Sequence, residues 1–257
     1  MRRSERRLRG RWHLCHRAYY DLEVKRIDGN ADISTIRGRL AYEITGSTCD
    51  GFSVNYRLAN RVQYKEGTAR VIDTQLTSYE SGDGLQLDMT QKQFVDAEMK
   101  EETRIKVNKD AEGTTGKGLL TKTDTKTFET VAAALFPTRY QVKLVEAAEQ
   151  GKSYDEQVIY DGSNEDKSLK AVSFIGPKKP MSGVPEEQAK ALGSMDSWPV
   201  TVSYFPLDDK ADGNPVYTAS FNMLDNGIST DLVLDYGSYA LTGKLTKLEM
   251  LKPETCP

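Results

Sequence analysis

From Ala18 onward the side chains alternate between apolar and polar, and this period of two returns along most of the chain. Ala18, Tyr20, Leu22 and Val24 alternate with Tyr19, Asp21, Glu23 and Lys25. A pleated strand sends successive side chains to opposite faces, so this segment reads as a half-buried strand with a charged outer face. Ile36, Gly38, Leu40, Tyr42 and Ile44 repeat the pattern, as do Phe52, Val54, Tyr56 and Leu58 opposite Ser53, Asn55 and Arg57. Turn signals fall between them at Asp28-Gly29-Asn30, Asp50-Gly51, Glu66-Gly67 and Gly82-Asp83-Gly84. Long polar strands are predicted over Ala69–Tyr79, Lys92–Val107 and Gly118–Phe128. The result is an antiparallel meander in which sequence neighbours pair.

One segment departs from the pattern. Pro137-Thr138 is followed by Tyr140, Leu144, Val145 and Ala148, and then by Gly151. That spacing is helical and predicts a helix over 138–150, with Thr138 as N-cap and Gly151 just past the end. Its simplest role is to plug or cover the sheet. A second, short helix is predicted over Pro185–Leu192, inside the Gly- and Pro-rich stretch Gly176–Ser197. That stretch is a candidate linker, but it separates two groups of strands and not two cores.

Strand signals are strongest in the last third. Trp198–Phe205 alternates and ends at Pro206. Pro215–Met223 pairs with Ile228–Asp235 across Asp225-Asn226-Gly227, where Asn-Gly supplies the positive φ values of a hairpin turn. Ser238–Met250 forms the last strand. Trp198, Tyr204, Tyr217 and Tyr236 read as core or cross-strand packing, with ligand stacking as the alternative. The predicted fold is all-β and mostly antiparallel, a single domain over 17–257 with one main helix, preceded by a basic arm over 1–16.

Residues 1–17 hold seven arginines against Glu5, whereas the whole chain carries a net charge of −3. Everything after them is therefore acidic, which leaves no basic face for a phosphate backbone and disfavours nucleic acid. The arm reads as disordered or as the remnant of an export signal. A recognisable signal peptide needs about 7–15 apolar residues after the charges, and Arg11-Trp12-His13-Leu14-Cys15-His16 follows instead. Cys15 also lacks the small residues that precede a lipid-anchored cysteine. No run approaches the roughly 18 apolar residues of a membrane-spanning helix. Strand faces such as Asp21, Glu23 and Lys25 do not suit a lipid-facing barrel.

His13 and His16 are the only histidines. The body therefore has no base for Ser-His-Asp or Cys-His catalysis. It also has no His/Cys set at zinc spacing, and no glycine-rich phosphate loop. No cofactor, metal or catalytic residue is assigned. Carboxylates remain, so a carboxylate-dependent hydrolase is the second functional reading. Glu98, Glu101 and Glu102 are more simply a solvated strand face, and Asp73, Asp83 and Asp88 lack the spacing of a calcium loop.

Of three cysteines, Cys49 follows the second strand and Cys256 is the penultimate residue. A bond between them would tie down a chain end and close a loop of about 207 residues, for which the chain-entropy model gives about 5 kcal/mol as an upper figure. Two unrelated thiols are the alternative.

Several segments, in order and spacing, resemble the bacterial cell envelope integrity EipB family. They are His16-Arg17-Ala18-Tyr19-Tyr20-Asp21-Leu22, Gly38–Tyr42, Cys49-Asp50-Gly51-Phe52 and Phe136-Pro137-Thr138-Arg139. Later come Trp198-Pro199-Val200-Thr201-Val202, Asn226–Gly237, and Leu241–Leu248 with Cys256. The resemblance implies a long β-spiral, an open barrel wrapped around one main helix, with a shape like that of lipoprotein carriers. It further implies a disulfide between Cys49 and Cys256, periplasmic localisation, and a monomeric, non-enzymatic role in envelope integrity and envelope stress. The implied partner is an envelope lipid, lipoprotein or periplasmic protein.

Overall fold

In the computed structural model, which describes residues 15–207, 213–252 and 256, all strands join one sheet. The first meander runs through β1 (His16–Ile27), β2 (Ile33–Ser47), β3 (Gly51–Tyr64), β4 (Arg70–Glu80), β5 (Gln86–Val95), β6 (Glu98–Lys109), β7 (Gly116–Thr121) and β8 (Thr125–Glu129). The helix α1 (Pro137–Glu149) follows. The second meander then runs through β9 (Tyr154–Ile159), β10 (Leu169–Ile175), the two-residue β11 (Lys179–Pro180), β12 (Asp196–Pro206), β13 (Tyr217–Leu224), β14 (Ser229–Asp235) and β15 (Tyr239–Met250). A short helix α2 (Glu186–Leu192) lies before β12.

The spatial order is β8-β7-β6-β5-β4-β3-β2-β1-β15-β14-β13-β12-β10-β9, with β11 on β12. The first and last strands thus meet mid-sheet, pairing Ala18 with Leu248, Tyr20 with Leu245 and Leu22 with Gly243. All strand pairs are antiparallel, as the turn signals predict. The outermost strands β8 and β9 do not pair, so the sheet stays open. Leu135 makes a parallel bridge to Ile159 near this seam. Lys122 and Lys126 reach Glu165 (3.0 Å) and Asp166 (3.2 Å) in the β9–β10 loop across it.

The alternating apolar residues form the inner face, and their burial accounts for the rolled shape. Ala18, Tyr20, Leu22, Ile36 and Leu40 cluster with Leu232, Leu241, Leu245 and Leu248. Leu87, Met89, Ile105 and Val107 cluster with Phe136 and Tyr160. The apolar stripe of α1 packs on Leu169, Trp198, Val200, Val202 and Met223. Met181, Val184 and Leu192 from the Gly- and Pro-rich stretch pack against the first cluster, so that stretch is tied to the sheet.

Four local expectations are corrected. Lys92–Val107 is not one strand: it breaks at Asp96 and Ala97, which have φ of 50° and 68°. Two positive φ values make the tight turn a hairpin needs, but neither residue is a glycine or asparagine, so the sequence carried no signal. The span 118–128 likewise divides into β7 and β8. His16, assigned to the arm, is the first residue of β1; it is buried and its ring lies 5.5 Å from that of Tyr42. Cys15 is also buried, and its thiol donates to the Gly46 carbonyl at 3.2 Å. The rest of the basic arm, residues 1–14, lies outside the described residues. Fourth, Thr138 does not hold the N-cap of α1.

Candidate functional site

Pro137 opens α1 at a position where a missing N–H costs nothing. Thr138 is not its N-cap. Phe136 holds that position without a side-chain capping bond. Instead the N–H groups of Thr138 and Arg139 donate to the Glu80 carboxylate at 2.7 and 2.9 Å. Glu80 is the last residue of β4 and is 4% exposed. A carboxylate delivered by the sheet thus satisfies the positive end of the helix. Burial pushes the Glu80 carboxyl above the usual range, opposed by the two amides and, more weakly, by Lys109. Lys109 lies 4.1 Å over the Phe136 ring and donates to the Ala134 carbonyl. Burial in turn holds its ammonium below the ordinary lysine range.

The other end of α1 closes as predicted at Gly151, with φ of 75°. Gly151 N–H donates to Ala148 and Lys152 N–H to Ala147, both at 3.0 Å, which is a Schellman closure. Tyr140 hydrogen-bonds Ser173 at 2.8 Å, and Gln141 donates to the Gly227 carbonyl at 2.8 Å.

Beyond the helix, the inner face carries a row of tyrosines. Tyr204 and Tyr217 are paired across β12 and β13 and stack with centroids 4.3 Å apart. Tyr217 then stacks with Tyr236 (6.2 Å), and Tyr236 with Tyr239 (5.1 Å). On the other arc Tyr42 and Tyr56 are paired across β2 and β3, beside Leu58 and Leu76. All of these side chains are half-buried. Desolvation raises every one of these phenols, with Tyr236 pushed up to about 12 and Tyr42, Tyr56, Tyr204 and Tyr217 higher.

A phenol that still meets water yet is strongly desolvated sits in a concavity. No described residue hydrogen-bonds the hydroxyls of Tyr42, Tyr56, Tyr236 or Tyr239. Among the described residues the only buried side-chain polar atom without a partner is Asn60 Oδ1. These hydroxyls therefore face an open hollow. Thr74 and Gln91 lie on its β4–β5 side, since Thr74 pairs with Leu58 and Gln91 with Leu76 on the inner face. The hollow is amphipathic: tyrosine rings line both arcs, and the β4–β5 side adds an amide and a hydroxyl.

The structure joins Cys49, in the β2–β3 turn, to Cys256, with their Cα atoms 5.7 Å apart. It does not gather the carboxylates weighed above. Glu98 pairs with Lys100, Glu101 with Lys122 and Glu102 with Arg104. Asp73 pairs with Arg57, Asp83 accepts from Ser81 and Leu85 in its own turn, and Asp88 accepts from Gln86. Among the described residues no three His, Cys, Asp or Glu side chains converge as metal ligands. Of the aromatic residues that the sequence offers for packing or ligand stacking, Tyr204, Tyr217 and Tyr236 stand in the stacked row, whereas Trp198 is in the core. Glu80 was not singled out at all. Its one signal was an inward register position on β4, opposite Leu87 and Phe52, where an apolar residue is the rule.

The family model for EipB-like proteins matches residues 12–252. The chain belongs to the EipB-like family. It is 35% identical over 240 residues to the cell envelope integrity protein EipB of Brucella abortus (strain 2308), spanning 91% of this chain and 83% of that protein. A crystal structure from Brucella abortus, described as a β-barrel-like protein of a domain of unknown function, matches with a TM-score of 0.85 at 33% identity. That match covers 93% of this chain and 98% of the other. The fold of this family member is thus shared with a solved relative described as β-barrel-like.

Proposed function

We propose that this protein is a periplasmic, non-enzymatic factor for cell envelope integrity that binds an acyl-bearing component of the envelope, a lipid or a lipoprotein. The integrity role is carried over from the curated Brucella relative. The binding role rests on one observation: the hollow lined by Tyr42, Tyr56, Tyr204, Tyr217, Tyr236 and Tyr239, whose rings offer apolar surface and in which the hydroxyls of Tyr42, Tyr56, Tyr236 and Tyr239 offer polar contacts. Sites for amphiphiles combine such an apolar lining with a few placed polar groups. The fold leaves α1 at one side of the hollow, so the space suits a chain or two and not a pore.

A dansyl-labelled fatty acid should gain fluorescence on binding the wild type, and a Tyr56→Ala/Tyr236→Ala double variant should bind at least about tenfold more weakly, the range expected for truncating aromatic anchors. A deletion strain should become sensitive to detergent. Wild-type protein should restore resistance and the double variant should not. Rescue that survives the double variant but is abolished by one substitution of an exposed carboxylate, with folding and export intact, would overturn this reading in favour of the hydrolase.

A further inference from the structure

The edge of the sheet at β9 carries backbone groups that nothing described satisfies. Val158 O accepts from Leu135 N–H and Tyr160 N–H donates to Leu135 O, both at 2.8 Å, on the side away from β10. Ser153 O, by contrast, accepts from Ile175 on the β10 side at 2.9 Å. Antiparallel ladders alternate strictly, so Asp155, Gln157 and Ile159 bond β10 while Tyr154, Glu156 and Val158 turn outward. Leu135 takes only the Val158 carbonyl of that outward set. The N–H of Val158 and both backbone groups of Glu156 and Tyr154 have no hydrogen bond to a described residue. Native sheets usually blunt such an edge with proline, a bulge or a cover. β9 has no proline, and its pairing with β10 shows no register shift.

Both flanks of this edge are shaped to receive alternating side chains. On the outer face Tyr154 and Phe174 are 47% and 58% exposed and meet edge-on with centroids 5.6 Å apart. On the inner face Asp155 and Gln157 line a groove of about 390 Å³ together with Lys109, Arg139 and Lys143. We propose that the β9 edge docks an extended segment of another protein as an added strand, continuing the ladder that Leu135 begins. Alternate residues of that segment would cover the Tyr154–Phe174 pair and enter the groove, with a basic residue opposite Glu156. A second copy of this chain is the poorer occupant. A two-fold pairing centred on Glu156 sets two carboxylates directly opposite, which is destabilising, and aims each Tyr154 N–H at a Val158 carbonyl that already accepts from Leu135. This surface is separate from the tyrosine hollow, so dansyl-fatty-acid binding reports on one and peptide binding on the other.

The test is selection of a phage-displayed random-peptide library on the full, oxidised chain, followed by synthesis of the enriched peptides. Glu156→Pro removes an outward N–H and no bond to β10. Phe174→Asp changes only an exposed side chain. Each should weaken peptide binding by about tenfold or more, as expected when a strand-addition contact is lost, with the circular dichroism and melting of the variants unchanged. The amides of Glu156 and Val158 should exchange quickly in the free protein and slowly with saturating peptide. Should Glu156→Pro not fold, Phe174→Asp and the exchange measurement decide alone. Absence of enriched peptides, equal binding by the variants, or protection at other amides would overturn the proposal. Sedimentation showing a wild-type dimer that Glu156→Pro abolishes would overturn it too, by making the occupant a second copy.

Discussion

At the scale of single residues, Glu80 is the group on which most depends. Both of its carboxylate oxygens accept from α1 amides, and it lies where water cannot replace them. Glu80→Ala leaves one buried and one partly buried donor without their acceptor, so it should lower the unfolding free energy by about 2 kcal/mol, measurable by urea denaturation. The pH dependence has an unusual sign. Most carboxylates of folded proteins are held below their unfolded pKa and destabilise on acidification, but burial raises Glu80. A raised folded pKa means that the native state binds the proton more readily, so this group's contribution grows as pH falls from its folded pKa toward the unfolded carboxylate value. Against Glu80→Gln, which cannot titrate, the wild type should therefore gain relative stability between neutral pH and about pH 4.5. A difference that shrinks over that window would refute the assignment.

At the scale of elements, the sequence was most informative where chemistry is local. Alternation located β1, β2 and β3. Asn226-Gly227 marked the β13–β14 hairpin, and Gly151, with its positive φ, marked the end of α1. It was least informative where an element is defined by distant partners. The start of α1 was misread because its cap comes from a residue 58 positions earlier. The β5–β6 turn was missed because Asp96 and Ala97 are held there by tertiary bonds. Asp96 Oδ1 accepts from the Val71 N–H at 2.8 Å, and its own N–H donates to the Val71 carbonyl at 2.9 Å. β9 and β10 were not foreseen, although they form the edge discussed above. The hollow was legible only as a list of aromatic residues, since whether a ring is covered depends on how far the sheet rolls. The β5–β6 turn offers a direct check. Ala97 pays a steric penalty at φ of 68° that glycine does not, so Ala97→Gly should raise stability by up to about 1 kcal/mol. Thermal melting should shift upward; a downward shift would mean that the turn conformation differs.

At the scale of the molecule, two meanders are joined by three devices: the β1–β15 pair, the helix between the inner faces, and the Cys49–Cys256 bond. The tyrosine row depends on all three, because it stays desolvated only while the sheet is rolled. Those phenols have raised folded pKa values, so their contribution is intact below about pH 10 and is lost as pH rises through the folded values, near 12 for Tyr236. An absorbance titration should show exposed tyrosines such as Tyr154 ionising before the inner row, which should ionise only as the protein unfolds.

The disulfide makes the strongest demand. It spans 207 residues, and linking sites so far apart removes much freedom from the unfolded chain, up to about 5 kcal/mol in the chain-entropy model. It also ties Cys256 to the β2–β3 turn, on the arc that carries Tyr42 and Tyr56. Cys256→Ser should therefore lower the melting temperature clearly, and reductant should bring the wild type down to the variant's value while leaving the variant itself unmoved. Cys15 gives the control: it is a buried thiol hydrogen-bonded to Gly46, so Cys15→Ser should leave sensitivity to reductant intact. A wild type whose melting ignores reductant would show that the sheet alone holds the two halves together, and the bond's place in the spiral would have to be argued from something other than stability.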